Sequence, residues 1–292
     1  MGRVWKCSGL RWTPDGPVLV WDGGRRSGLT WGKRVAFAVP EGAVRRCVGA
    51  RGNPCPVAAG VPGRSTGARC EECARLDRAH SVAADTLADD PRPYRVYLAW
   101  FGPGMVKVGI TGVGRGPARL LEQGAVCFTW LGSGPLMAAR RTEELLRAAL
   151  RVPDRIPYAD KRAVRSALPV TAAERAREVQ ELHARAGVLA EWPESLGREP
   201  CRVVDHVERF GLLEPAAAAG GDVVELAPGG AVSGELVAAA GPDLHLAVGG
   251  RRGTVVLDTR LMTGWEVAPR STDTGELGFP VREFTRAPDG LF

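Results

Sequence analysis

Apolar and polar positions alternate in short runs along much of this chain, and the period changes twice. In residues 1–46 the runs WKCSGLRW, PVLVWD and RVAFAV carry β-branched and aromatic residues between Pro-Asp-Gly and Gly-Gly breaks, which predicts short strands. Residues 47–80 lose the periodicity, and SVAADTLADDPRP, at 81–93, reads as a polar linker. RVYLAW and VKVGIT, joined by Phe-Gly-Pro-Gly, then predict a β-hairpin with strands at Tyr94–Trp100 and Met105–Thr111. The pattern turns helical at Pro117–Gln123, returns to a strand at Ala125–Leu131, and becomes helical again at Pro135–Arg151. Pro135 sits near the start of that helix, and Leu145, Leu146, Ala149 and Leu150 share a face. Thr171-Ala-Ala-Glu174 is a capping-box signature for a helix to about Ala186, whose charged body reads as a solvated amphipathic helix packed on its neighbour. After Pro200 the runs DVVELA, SGELVAAA, DLHLAV, GTVVLD and GWEVA predict a small β-barrel or curled sheet near 220–270, followed by an irregular tail. The pattern therefore gives an α+β chain in three parts: a β-rich segment at 1–90, a β-β-α-β-α domain with a trailing helix at 91–195, and a small β-rich domain at 196–292.

Composition narrows the class without naming a chemistry. The 292 residues are 45% hydrophobic and 25% charged, ordinary for a soluble globular protein with two or three cores. The net charge of +6 permits a polyanionic partner but does not demand one. Lysine stands only at Lys6, Lys33, Lys107 and Lys161, so nearly all the positive charge is arginine, in keeping with the Ala, Gly, Pro and Val bias of a high-GC coding sequence. No apolar run approaches the ~20 residues that span a bilayer, and MGRVWKCSGLRW lacks the apolar core of a signal peptide. A cytoplasmic protein without a membrane partner is expected. Walker-type, dinucleotide-binding and HExxH motifs are absent from the sequence, which leaves those chemistries without support.

Seven cysteines in a chain without an export signal favour metal ligation over disulfides. Cys70-Glu-Glu-Cys73 places two thiolates one zinc-coordination edge apart, and Cys47 and Cys55 form a wider pair upstream. Four thiolates from two turns match a closed structural zinc site, needed because the segment has too little apolar content to fold unaided. Cys7 and His80 are competing ligands. Two glutamates inside the CxxC argue against a redox pair, and Cys127 and Cys201 read as ordinary core residues.

The central segment carries the candidate chemistry. A tyrosine, Tyr97, a lysine, Lys107, an arginine, Arg119, and a glutamate, Glu143, fall on successive strands and helices of one small domain. Arginine holds a phosphate oxygen, a carboxylate anchors Mg²⁺, and a tyrosine or water handles the proton: the parts of phosphodiester chemistry. Each residue also has a bland reading, Tyr97 and Lys107 as decoration of an exposed sheet face, Arg119 as a salt-bridge partner of Glu122 or Glu143.

The order VYL, loop, KVGIT, Arg, Glu resembles the GIY-YIG superfamily of nucleases and nuclease-like domains. The resemblance implies a hairpin, a helix with an essential arginine, a third strand and a helix with a metal-binding glutamate. Tyr97 takes the place of the first-motif tyrosine, Gly109 that of the second-motif glycine, Arg119 that of the arginine, and Glu143, in Ala139-x-x-x-Glu143-x-x-Leu146, that of the metal ligand for magnesium or manganese, with Glu144 the alternative. Two positions depart from the pattern. Arg95 or Val96 replaces the first-motif glycine, and Lys107 replaces the second-motif tyrosine. Over nearly the whole chain, the N-terminal CSG, the CxxC, KVGIT, Arg119-Leu-Leu-Glu-Gln-Gly-Ala125 and the C-terminal SGELVAAAGPDLHLAV together resemble a bacterial family known as domain of unknown function 2797. That resemblance implies an architecture and a zinc, with no established activity.

Three functions follow as expectations: a metal-dependent nuclease acting on DNA or RNA, a zinc-containing nucleic-acid-binding module without catalysis, and a protein-interaction scaffold.

Overall fold

The N-terminal runs form β1 (Trp5–Thr13), β2 (Gly16–Trp21), β3 (Arg26–Gly28) and β4 (Arg34–Ala38), and the cysteine-rich stretch ends in α1 (Glu71–Arg78). The middle of the chain supplies β5 (Tyr94–Trp100), β6 (Val106–Gly112), α2 (Ala118–Gln123), β7 (Cys127–Gly134), α3 (Leu136–Leu150), α4 (Tyr158–Val164), α5 (Ala172–Gly187), β8 (Gly197–Arg198), β9 (Val204–Asp205) and α6 (Val207–Phe210). The last part holds β10 (Ala219–Val223), β11 (Ala231–Ala240), β12 (Asp243–Ala247), β13 (Thr254–Asp258), α7 (Thr259–Met262), β14 (Glu266–Pro269), β15 (Glu276–Leu277) and β16 (Val281–Glu283). The computed structural model describes residues 4–79, 90–249, 253–270 and 275–284. They belong to two units, one drawn from Met1–Ala83 and Glu214–Phe292, the other from Ala84–Leu213. Among the described residues no helix is long and apolar enough to cross a membrane.

In the first unit the two ends of the chain share one sheet. Its order is β16-β10-β13-β12-β11-β4-β14-β1-β2-β3, with β15 on β11. The path is open at both ends, so the expected barrel is an open sheet, with no closed barrel among the described residues. The N- and C-terminal segments, expected as separate parts, are joined through β4 on β11 and through β14, which pairs with β4 and β1. Alternation reveals a strand but not its partner, because pairing across some two hundred residues leaves no local trace. The tail expected to be irregular contributes β15 and β16. Val35, Phe37, Val232, Leu236, Leu244, Leu246, Val255, Leu257 and Val267 are buried, each stabilising the fold by about 2 kcal/mol relative to exposure.

Arg45 ties the cysteine-rich stretch to this sheet. It is 1% exposed and donates to the carbonyls of Thr263, Pro62, Ser65 and Arg260 at 2.6–2.9 Å. Four carbonyls around one guanidinium satisfy a charge that burial would otherwise penalise. Burial still lowers its pKa to about 10.

The second unit is built on the sheet β6-β5-β7-β8, with β9 also on β7. Segment 196–213, expected with the C-terminal part, here supplies β8, β9 and α6. Tyr97 lies opposite Gly109, Ala99 opposite Lys107, and the same two residues face Trp130 and Phe128 across β7. Directly paired residues share a face, so Tyr97, Ala99, Lys107, Gly109, Phe128 and Trp130 lie on one side. Phe101, Leu120 and Ala125 complete the core there. Cys127 lies on the other face, where α5 packs, and its thiol donates to the Arg175 carbonyl at 3.2 Å. The expected capping box of α5 is present: Thr171 accepts from the Glu174 amide, and the Glu174 carboxylate accepts from the Thr171 amide. In α3 the buried stripe is Leu136, Ala138, Ala139, Thr142 and Leu146, rotated from the expected face; Leu145 and Leu150 are half-buried and Ala149 is exposed. The rotation brings Glu143, four residues after Ala139, to the edge of the packed face and leaves Glu144 in solvent.

Candidate functional site

The first candidate is a metal centre. The Sγ atoms of Cys47, Cys55, Cys70 and Cys73 all lie within 4.8 Å of one another, and Cys55 Sγ is 3.9 Å from Cys70 Sγ. A tetrahedral zinc with ~2.3 Å bonds separates its sulfurs by roughly 3.8 Å, so the donor set fits the ion. The wide spacing of the upstream pair is taken up by a small loop, in which Ala50 and Asn53 exchange backbone hydrogen bonds at 3.0 and 2.9 Å. Gly49 makes that loop possible. Its φ is +78°, and a Cβ there would stand 1.9 Å from the Asn53 carbonyl oxygen. The downstream pair lies at the start of α1, with Cys70 as its N-cap residue. The amides of Gly49 and Cys70 donate to Cys47 Sγ at 3.3 and 3.2 Å. The Ala59 amide leads the effects that lower the Cys55 pKa to about 7. Burial, and then the neighbouring sulfurs, push Cys73 up to about 12. Such a cluster resists joint ionisation until a cation sits among the sulfurs. Cys7 is buried in β1 and is not part of the group. His80 lies outside the described residues. Cys127 is a core residue as expected, but Cys201 is exposed.

The second candidate gathers around Tyr97. A Cβ on Gly109 would meet Tyr97 Oη at 2.3 Å, so the phenol lies directly across the facing strand. Tyr97 is 2% exposed and Lys107 9%, which excludes decoration of an open sheet face. Burial raises the Tyr97 pKa, and Gln123 and Arg119 only partly oppose it. Burial, and then the Arg119 charge, lower Lys107 to about 8, against the pull of Glu143 and Asp154. The Lys107 ammonium donates to the Asp154 carbonyl at 3.3 Å. Glu143 is raised by partial burial and by Asp154, with Lys107 and Arg147 opposing. Thus Tyr97 and Lys107 each stand within electrostatic reach of both Arg119 and Glu143. Arg119 forms no salt bridge among the described residues; Glu122 pairs with Arg115, and Glu144 with Arg147 at 3.3 Å. A half-buried carboxylate with no ion-pair partner among the described residues suits a hard cation, which takes one or two protein carboxylates and completes its shell with water and phosphate.

Three residues of this neighbourhood escape sequence reading. Gln123 donates Nε2–H to Tyr97 Oη at 2.8 Å. Lys161 donates to the Gln123 carbonyl at 3.1 Å, its ammonium 3.7 Å from the Phe101 ring centroid. Asp154 acts on both Lys107 and Glu143. Gln123 was visible inside RLLEQGA, but nothing in the run assigns it a partner. Asp154 and Lys161 follow Val152-Pro153 in a stretch without a pattern.

No curated protein and no solved structure matches the chain. A family model does match, over residues 32–267, and the chain belongs to the family described as "Protein of unknown function (DUF2797)".

Proposed function

We propose that the Tyr97 face of the second unit is a divergent GIY-YIG-type site that binds nucleic-acid phosphodiesters and hydrolyses them. The observation that carries this reading is the Tyr97 ring laid across Gly109, with Arg119, Lys107 and Glu143 around it. Arg119 holds a non-bridging phosphate oxygen, a charge-assisted contact of about 1.5–3 kcal/mol. Lys107 adds a second cation where the superfamily pattern has a tyrosine. Glu143 would hold Mg²⁺ or Mn²⁺, which when bound supplies Lewis-acid polarisation of the phosphate and a more acidic water. Tyr97 orients the phosphate or the water. The four cysteines hold zinc as a fold-stabilising ion, distant in chemistry from this site.

The experiment is incubation of the full chain with labelled single-stranded DNA, duplex DNA and RNA in Mg²⁺ or Mn²⁺. Cleavage that disappears in Glu143→Gln supports hydrolysis. Metal-loaded protein that leaves every substrate intact, with Glu143→Gln behaving identically, rejects it. The second reading, a zinc-containing module that binds nucleic acid without cutting it, draws on Lys107. An ammonium holds phosphate well and replaces a hydroxyl of the active pattern. It predicts oligonucleotide binding that weakens with salt, its slope set by the phosphates neutralised.

A further inference from the structure

We infer that Gln123 is a positioning residue, fixed at the end of α2 by Lys161, that turns the Tyr97 hydroxyl into a hydrogen-bond donor aimed at a phosphate oxygen of the ligand. The inference rests on the phosphate-binding reading of the site.

The argument begins with the hydroxyl's own inventory: one proton to give and two lone pairs to receive. Gln123 is 6% exposed, and its Nε2–H donates to Tyr97 Oη at 2.8 Å, which occupies one lone pair. Arg119, the nearby cation that favours the ionised phenol, can only donate. Among the described residues no group accepts the Tyr97 proton. Burial holds the phenol protonated against the pull of these two donors, and with donors facing its lone pairs the hydroxyl directs its proton to an acceptor that the fold does not supply. A phosphate oxygen is such an acceptor, and it would also meet Arg119. Tyr97 therefore donates and does not serve as the base.

The support behind Gln123 is specific. The last carbonyls of a helix lack partners within it. Here Lys161 caps the Gln123 carbonyl at 3.1 Å, and the Tyr158 hydroxyl reaches the Glu122 carbonyl at 3.4 Å. The Lys161 ammonium lies 3.7 Å from the Phe101 centroid and 4.4 Å from that of Tyr158, a favourable cation–π setting for a cation that is 3% exposed. The main chain of Gln123 is thus held while its side chain holds Tyr97.

The test uses the full zinc-loaded chain labelled with 3-fluorotyrosine. With three tyrosines, Tyr94, Tyr97 and Tyr158, the fluorine signal of Tyr97 is identified by its loss in Tyr97→Phe. A twelve-nucleotide DNA strand is titrated in without divalent metal, and inorganic phosphate is run beside it. The strand should shift the Tyr97 signal. Gln123→Met, of similar volume but without a donor, should shrink that response and weaken binding about tenfold, the loss of one well-placed hydrogen bond. Gln123→Glu should lose more, because its carboxylate accepts the very proton meant for phosphate. In the wild-type chain a side-chain amide proton of Gln123, separable from Gln180 by glutamine labelling, should exchange slowly with solvent; this measurement needs no variant to fold. A ligand-induced shift that is unchanged in Gln123→Met, or a Gln123→Glu protein that binds like wild type, overturns the role of Gln123 alone. No shift in wild type with either probe overturns the phosphate reading and the donor assignment with it, while slow exchange of the Gln123 amide would still separate that failure from a wrong hydrogen bond.

Discussion

The four-cysteine group of the first unit and the Tyr97 group of the second are both polar clusters set in apolar surroundings, and they are built in opposite ways. The cysteines come from two local turns within 27 residues, and their sulfurs lie within 4.8 Å of one another, a donor set that suits a closed tetrahedral site. The Tyr97 group comes from two strands and two helices spread from residue 97 to 143, and its charged members lack salt-bridge partners among the described residues. Four thiolates around one cation would leave no open coordination position, which is the arrangement of a structural site. A cluster that leaves Glu143 without an ion-pair partner and the Tyr97 proton without an acceptor, among the described residues, has room in its chemistry for a ligand. On the proposed reading, that contrast separates a fold-stabilising ion from a ligand-binding site.

The comparison can be broken most severely at the four cysteines. Chelation, or Cys70→Ser, should remove a binding free energy on the order of 10 kcal/mol from the first unit. Thermal unfolding should show that unit melting early while the second keeps its transition, and elemental analysis should find one zinc per chain. Arg45→Met comes next. Leaving four buried carbonyls without their donor should cost about 3–5 kcal/mol in denaturant unfolding, with weaker zinc retention because Arg45 fastens the neck of the cysteine loop.

Gly109→Ala should cost about 3 kcal/mol, since its methyl group must displace a packed phenol. It should also abolish oligonucleotide binding; stability and binding both at wild-type level would mean that Tyr97 does not lie across β6. The smallest effect is that of Lys107. Its folded-state pKa of about 8 lies below the ordinary 10.5, so burying the charged form penalises the fold in full below about pH 8. Between about 8 and 10.5 the unfolded chain binds more protons than the folded one, and stability rises with pH. Lys107→Met should therefore be more stable than wild type at neutral pH by about 2–3 kcal/mol, with the gap closing across that window.

The same contrast explains what the sequence made legible. Cys70-x-x-Cys73 is a local spacing, and the hairpin, α2, β7 and α3 are local periodicities, so all are legible in the chain alone. The capping box of Thr171 and Glu174 is local too. The open sheet of the first unit was not legible, because β4 meets β11 from the other end of the chain and alternation is indifferent to partners. The site was legible only in part. Tyr97, Lys107, Arg119 and Glu143 stood out by residue type and order, whereas Gln123 and Lys161 act through hydrogen bonds that span 26 and 38 residues. The face of α3 differs from the one its leucines predict, because the sheet takes up Leu136, Ala139, Thr142 and Leu146 and leaves Leu145 and Leu150 half-buried, and that same rotation half-buries Glu143 while Glu144 is exposed.

The most direct test of the functional half of this contrast is a single-turnover cleavage measurement. Wild type and Glu143→Gln are each saturated with labelled oligonucleotide in Mn²⁺, and binding is recorded in the same samples. The account predicts that both proteins bind and that only wild type generates product. Equal product from both, or no binding by either at low salt, would contradict it.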